Sequence, residues 1–196
     1  HFEARRQRQM CIRDSSLSVK EWHFEIAKVW KKTIYDFQGQ KNKVGLLIWG
    51  DPSLYDSSIK IAMTLIEKTN ITIISGITSI QVLMAAHKIN MNEIGKPFSV
   101  FTGRFLRDKG LSFTNSRSFV MLDGECSFKF LELSKFFIWW GAYLGMEKQI
   151  IHNGYLHEVS EDIIELRNDA RKKYGWIMDT YLPVSYTHLT LPTSFE

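Results

Sequence analysis

The run Trp49-Gly50-Asp51-Pro52-Ser53-Leu54-Tyr55 places a glycine, a carboxylate, a proline and a phenol within one short stretch. Gly50 has no Cβ, so a ligand can approach its backbone closely. Pro52 removes a ladder donor and fixes φ, which ends a strand. Asp51 and Tyr55 then sit where an open α/β sheet presents its ligands, at the carboxyl end of a strand. Either side chain could position or activate a water molecule. Arg104, after Thr102-Gly103, could clamp a carboxylate bidentately or stand as a surface arginine. Asp123 and His87 are weaker candidates: Asp123 reads first as the cap of the following turn, and His87 as a residue late in a helix. Cys126 has no ligand partner at metal spacing, and no metal site is expected.

These residues need elements to hold them. Val44 to Trp49 is an unbroken apolar run, predicted as a strand buried on both faces. A helix is predicted before it over Val19 to Phe37, where Trp22, Ile26, Val29, Trp30, Ile34 and Phe37 recur at three- and four-residue steps, with Gly39 as its stop. Further helices are expected from about Ser57 to Lys68, from Thr78 or Ser79 to Lys88, around Ser127 to Leu133, and from Val159 to Lys173 with Gly175 as its stop. Strands are expected at Ile71 to Ile74, Phe98 to Thr102, Phe119 to Leu122, Phe137 to Ala142 and Trp176 to Leu182, with a hairpin joining Ile150 and Ile151 to Tyr155 to Glu158. Trp139 and Trp140 point to opposite faces of their strand, so at least one belongs to the core. Arg171, Lys172 and Lys173 read as a solvated helix end. Alternating strands and helices make this an α/β protein.

Composition narrows the classes. An apolar fraction of 44% implies globular order. No apolar stretch is long enough to span a bilayer, so no membrane partner is expected. Two cysteines, Cys11 and Cys126, make no disulfide framework, and a reduced cytoplasmic protein is expected. The net charge of +4 suits an acidic small molecule and is a poor footprint for nucleic acid, which is not expected as a partner. The segments Arg6 to Ser15 and Val184 to Thr193 resemble translated sequencing-adaptor segments, which implies foreign or disordered ends. The expected organisation is a tail over 1–15, a partial α/β domain over 16–95, a second α/β domain over 96–182 and a tail over 183–196.

Gly-Asp-Pro by itself is an ordinary strand-ending turn, and its company gives it meaning. It is followed by Ser75-Gly76-Ile77-Thr78-Ser79, Thr102-Gly103-Arg104, Val120 to Gly124, Trp140 to Gly145 and Gly175 to Leu182. That ordered set resembles the tetrapyrrole methylases, which methylate porphyrin-like macrocycles with S-adenosylmethionine. The resemblance covers roughly Val19 to Leu182. It implies two α/β domains with the cofactor in the cleft between them, the first domain incomplete here, and a homodimer when complete. Carried over by motif, the cofactor contacts would be Trp49, Gly50, Asp51, Leu54, Thr78, Ser79 and Leu144. Ser75 departs from the family's usual proline, and Leu144 from a frequent methionine. The family's opening strand and glycine-rich loop have no counterpart before Val19. The implied reaction is methylation of precorrin-5 at C-1, with the extruded acetyl group released as acetate. The alternatives are methylation of another macrocycle carbon and a non-catalytic tetrapyrrole-binding module.

Overall fold

The computed structural model describes residues 18–37, 44–110 and 117–185. The expected tail over 1–15, residues 186–196 of the expected tail over 183–196, and the stop at Gly39 lie outside the described residues. The chain separates into two compact units, 1–78 and 79–196. This division falls earlier than the expected one between 95 and 96, because the helix that follows Thr78 packs on strands of the second unit.

In the first unit, helix α1 (Val19–Phe37) forms as the apolar spacing predicts. Ser18 and Glu21 close its start as a capping box: Glu21 N donates to Ser18 Oγ at 3.4 Å, and Ser18 N donates to the Glu21 carboxylate at 2.8 Å. The Ser18 hydroxyl, donating to the Glu21 carboxylate at 2.7 Å, and then the Ser18 amide hold that carboxyl below its ordinary range. Ile26, Ala27 and Trp30 are buried with Ile61 of helix α2 (Ser58–Ala62), and Trp22 and Leu65 pack against them. The expected helix from Ser57 to Lys68 is cut to α2 and a short 3₁₀ turn at Lys68–Asn70.

Two expected strands are absent. Val44 to Trp49 and Ile71 to Ile74 adopt no ladder with any described residue. A strand exists only with a partner, and apolar β-branched sequence alone cannot supply one. Neither run is buried: Leu47 is 63% and Ile74 is 82% exposed.

The second unit carries a five-stranded sheet in the order β1-β2-β5-β3-β4, made of β1 (Phe98–Thr102), β2 (Arg117–Met121), β3 (Phe136–Ala142), β4 (Ile150–Tyr155) and β5 (Asp179–Ser185). β1 and β2 are parallel, and the other pairings are antiparallel. Helix α3 (Ser79–His87) packs on β3 and β5. Helix α4 (Gly103–Lys109) follows β1 directly and was not expected. Thr102 caps it, accepting from Phe105 N at 3.2 Å, and Gly110 at φ 68° ends it.

The expected hairpin is replaced by a single strand and a longer helix. β4 runs through Tyr155 and pairs with β3, and helix α5 (Leu156–Tyr174) begins at the next residue. Gly175 stops α5 as expected, at φ 78°. The helix expected around Ser127 to Leu133 is two 3₁₀ turns, Ser127–Phe130 and Leu133–Lys135. β5 begins at Asp179 rather than Trp176 and continues through Pro183 to Ser185, into the stretch assigned to a tail. Pro183 pairs with Ile138 beyond the residues that pair with β2, a position that tolerates a missing donor.

The sheet is covered on both faces. A Cβ on Gly141 would meet Leu83 of α3, and one on Gly154 would meet Val159 of α5. Gly154 pairs with Ile138, whose side chain points opposite to position 141. Trp140 is fully buried and Trp139 half-buried.

Candidate functional site

The Gly-Asp-Pro turn is held by its own aspartate. Oδ1 of Asp51 accepts from Ser53 N at 2.8 Å and from Ser53 Oγ. Oδ2 accepts from Gly76 N at 2.8 Å, across a separation of 25 residues. The Ser53 hydroxyl first, then the Gly76 and Ser53 amides, hold the Asp51 carboxyl below its usual range. Leu54 N closes the turn on Asp51 O at 3.3 Å, and Pro52 is buried beneath it.

Two glycines make this approach possible. Gly50 lies at φ 74°, the left-handed region, and a Cβ there would stand 3.6 Å from Ile77 O. A Cβ on Gly76 would stand 2.2 Å from Gly50 O. The two turns therefore touch backbone to backbone. Trp49, Gly50, Asp51, Leu54 and Thr78 all belong to this cluster or flank it. Trp49 is 50% exposed and Ile77 67% exposed, so apolar surface surrounds the polar turn. Tyr55 is exposed, on a left-handed backbone at φ 49°.

Ser79 and Leu144 belong to the second unit. The Ser79 hydroxyl lies 3.0 Å from the Thr180 hydroxyl of β5. Leu144 is half-buried on the turn after β3, between Tyr143 at φ 51° and Gly145 at φ 77°. Gly145 N donates to Gln149 Oε1 at 2.8 Å, and the Tyr143 hydroxyl donates to Trp176 O at 3.0 Å. A Cβ on Gly141 would come within 2.6 Å of Leu144 Cδ2, so glycine there leaves the room that Leu144 occupies.

The remaining candidates are placed as follows. Arg104 lies in the first turn of α4 with its side chain exposed, not at a free strand end. His87 Nε2 donates to Trp140 O at 3.0 Å, and its ring also bonds the Asn153 side chain. Burial pulls its pKa down against the opposing pull of these bonds, so the ring is neutral at pH 7. Asp123 is buried and caps the turn at Ser127, accepting from Ser127 N at 2.5 Å and Ser127 Oγ at 2.8 Å. It also accepts from the Tyr181 hydroxyl at 2.7 Å.

A buried polar cluster beside Asp123 escaped the sequence reading. Arg167 Nε donates to Asp179 Oδ2 at 3.1 Å, and its Nη2 donates to Asp123 O at 2.8 Å. Trp140 Nε1 donates to the same Asp179 oxygen at 3.0 Å. Burial pushes the Asp179 carboxyl up to about 6 against the opposing pull of Arg167. Burial likewise raises the Cys126 thiol to about 11. The available signal was Arg167 itself, an ionic residue four positions after Ile163 on the apolar face of α5. Among the described residues no group of histidine, cysteine, aspartate and glutamate side chains could hold a metal ion. No helix among them is long and apolar enough to cross a membrane.

Residues 3–160 match the family Tetrapyrrole (Corrin/Porphyrin) Methylases. The chain belongs to the tetrapyrrole methylase family. Among curated members, a precorrin-6A synthase (deacetylating) from Sinorhizobium sp is 41% identical over 169 residues, which are 84% of this chain. The chain spans 64% of that relative's length. A protein described as related to cobalamin synthesis, CobF from Corynebacterium diphtheriae, superposes with a TM-score of 0.71 at 38% identity, covering 84% of this chain and 71% of that one. The cobalt precorrin-4 methyltransferase CbiF superposes with a TM-score of 0.56 at 13% identity, over 87% of this chain and 72% of that one, and shares the fold.

Proposed function

We propose that the chain acts as an S-adenosylmethionine-dependent methyltransferase that methylates precorrin-5 at C-1 and releases acetate, giving precorrin-6A. The observation that carries this reading is the 41% identity to the Sinorhizobium precorrin-6A synthase over 169 residues. The proposed cofactor contacts are Trp49, Gly50, Asp51, Leu54, Thr78, Ser79 and Leu144. The residues of the first turn suit such a ligand, because an open glycine backbone lies beside exposed apolar side chains.

The bound cofactor would supply an electrophilic methyl group. Methyl transfer needs the carbon nucleophile, the methyl and the leaving sulfur in line. The chain's part is orientation and the exclusion of water, since the reactive group is the cofactor's own. Trp49 and Leu144 would pack on apolar parts of the ligand, and the backbone at Gly50 and Thr78 would meet its polar groups. Release of acetate needs a water positioned at the acetyl carbonyl. Of the residues considered for that role, Asp51 already accepts from three donors, while Tyr55 keeps an exposed side chain; Arg104, considered as a clamp for a carboxylate, is exposed as well. A homodimer and a cytoplasmic location complete the proposal.

The test is turnover of isolated precorrins with S-adenosylmethionine, following the methylated product by mass and acetate by enzymatic assay. Consumption of precorrin-5 with one acetate per methyl supports the reading. Turnover of precorrin-4 but not precorrin-5 would overturn it in favour of another family activity. Macrocycle binding without S-adenosylhomocysteine binding would point to a non-catalytic module.

A further inference from the structure

We infer that Asp51 is a positioning residue for the proposed reaction: its carboxylate latches the Gly-Asp-Pro turn to the Ser75–Thr78 turn and sets the spacing of the backbone that meets the cofactor. The inference rests on the cofactor reading above and deepens it.

The geometry favours a latch over an acid or base. A general base needs an oxygen aimed at the proton it removes. Asp51 instead directs Oδ1 at Ser53 and Oδ2 at Gly76 N, within its own unit. These donors stabilise the ionised form, which makes the group a poor proton acceptor. The bond to Gly76 also reaches where restraint is needed. Ser75, which is not a proline, leaves φ unfixed just before Gly76. The next amide along is the one that Asp51 holds.

The approach is equally specific on the Gly76 side. Its missing Cβ would lie 2.2 Å from Gly50 O and 3.1 Å from Gly50 C. No side-chain rearrangement relieves a clash with backbone. Gly76 and Asp51 thus serve one contact, and losing either opens the same pair of turns. Two substitutions that break one contact should not add.

The experiment uses the full chain, ¹⁵N-labelled, with Asp51→Asn, Gly76→Ala and the double variant. In the unsubstituted protein the Gly76 amide resonance should titrate with Asp51, at a midpoint below the ordinary aspartate range. In Asp51→Asn that titration should vanish, and solvent exchange at Gly76 should rise about tenfold or more. An exchange rate unchanged by Asp51→Asn would overturn the latch without reference to any cofactor. Calorimetric titration with S-adenosylhomocysteine should then show each single variant weakened about tenfold, and the double variant no weaker than the poorer single. Additive losses would overturn the shared contact. A kcat loss in Asp51→Asn with unchanged cofactor affinity would return Asp51 to acid–base chemistry and overturn the positioning role. Failure of the unsubstituted chain to bind S-adenosylhomocysteine, with the Gly76 amide behaving as expected, would overturn the proposed function and leave Asp51 a purely structural link.

Discussion

A carboxylate's surroundings decide its work, and the aspartates here divide accordingly. Asp51 is ionised and half-buried, with the Ser53 hydroxyl and amide on Oδ1 and the Gly76 amide on Oδ2. Asp123 is buried and ringed by Ser127, Glu125 N and Tyr181. Its position explains Gly103, whose added Cβ would lie 2.4 Å from Asp123 Cγ and Oδ1. An aspartate held by so many donors cannot step aside without breaking them. Gly103→Ala should therefore destabilise the fold by roughly 2–4 kcal/mol, the range for overpacking joined to a broken buried network. Urea unfolding measures this directly, and a loss below about 0.5 kcal/mol, as for a neutral surface change, would show that Asp123 is not locked.

At the scale of elements, Arg167 ties α5 to β5 through Asp179 and to the turn after β2 through Asp123 O. Trp140 of β3 completes the junction. Asp179 has its folded pKa, about 6, above the unfolded value near 3.9. The folded state therefore holds this proton more tightly. The resulting stability is fully present below about pH 4 and is lost as pH rises through about 6. At about 1.4 kcal/mol per pKa unit the loss is roughly 3 kcal/mol. His87 has the opposite sign: burial lowers its pKa, so its contribution is present above the unfolded value and fades as pH falls. Urea unfolding from pH 4 to pH 7 should show a flatter decline with rising pH in Asp179→Asn than in the unsubstituted chain. Identical slopes would mean that Asp179 does not titrate there.

For the whole molecule, the proposed cofactor contacts fall within 1–78 and within 79–196. A ligand that binds only the folded chain stabilises it by mass action. S-adenosylhomocysteine at a hundredfold excess over its Kd should add about 2.7 kcal/mol. For a chain of this length that corresponds to a Tm rise of about 5–10 °C, read by differential scanning calorimetry. No rise at saturating ligand would count against the cofactor reading. The exposed apolar side chains of the first unit, among them Leu47, Ile74 and Ile77, leave its packing less complete than the sheet unit's.

The sequence alone determined the elements whose signal is local. α1 was legible because its apolar residues repeat at the helical period, and β3 because its apolar run is bounded by turns. The ordered glycine, aspartate and threonine motifs carried the family. Tertiary structure decided what depends on residues far apart in the chain. Val44 to Trp49 reads as a strand but has no described ladder partner, and pairing is non-local. Thr102 and Gly110 mark the ends of α4, whose short length kept it from standing out. Nothing near Asp51 announces Gly76 as its partner, and nothing near Arg167 announces Asp179. A side chain's type limits the bonds it can make, but only the folded backbone brings their partners within reach.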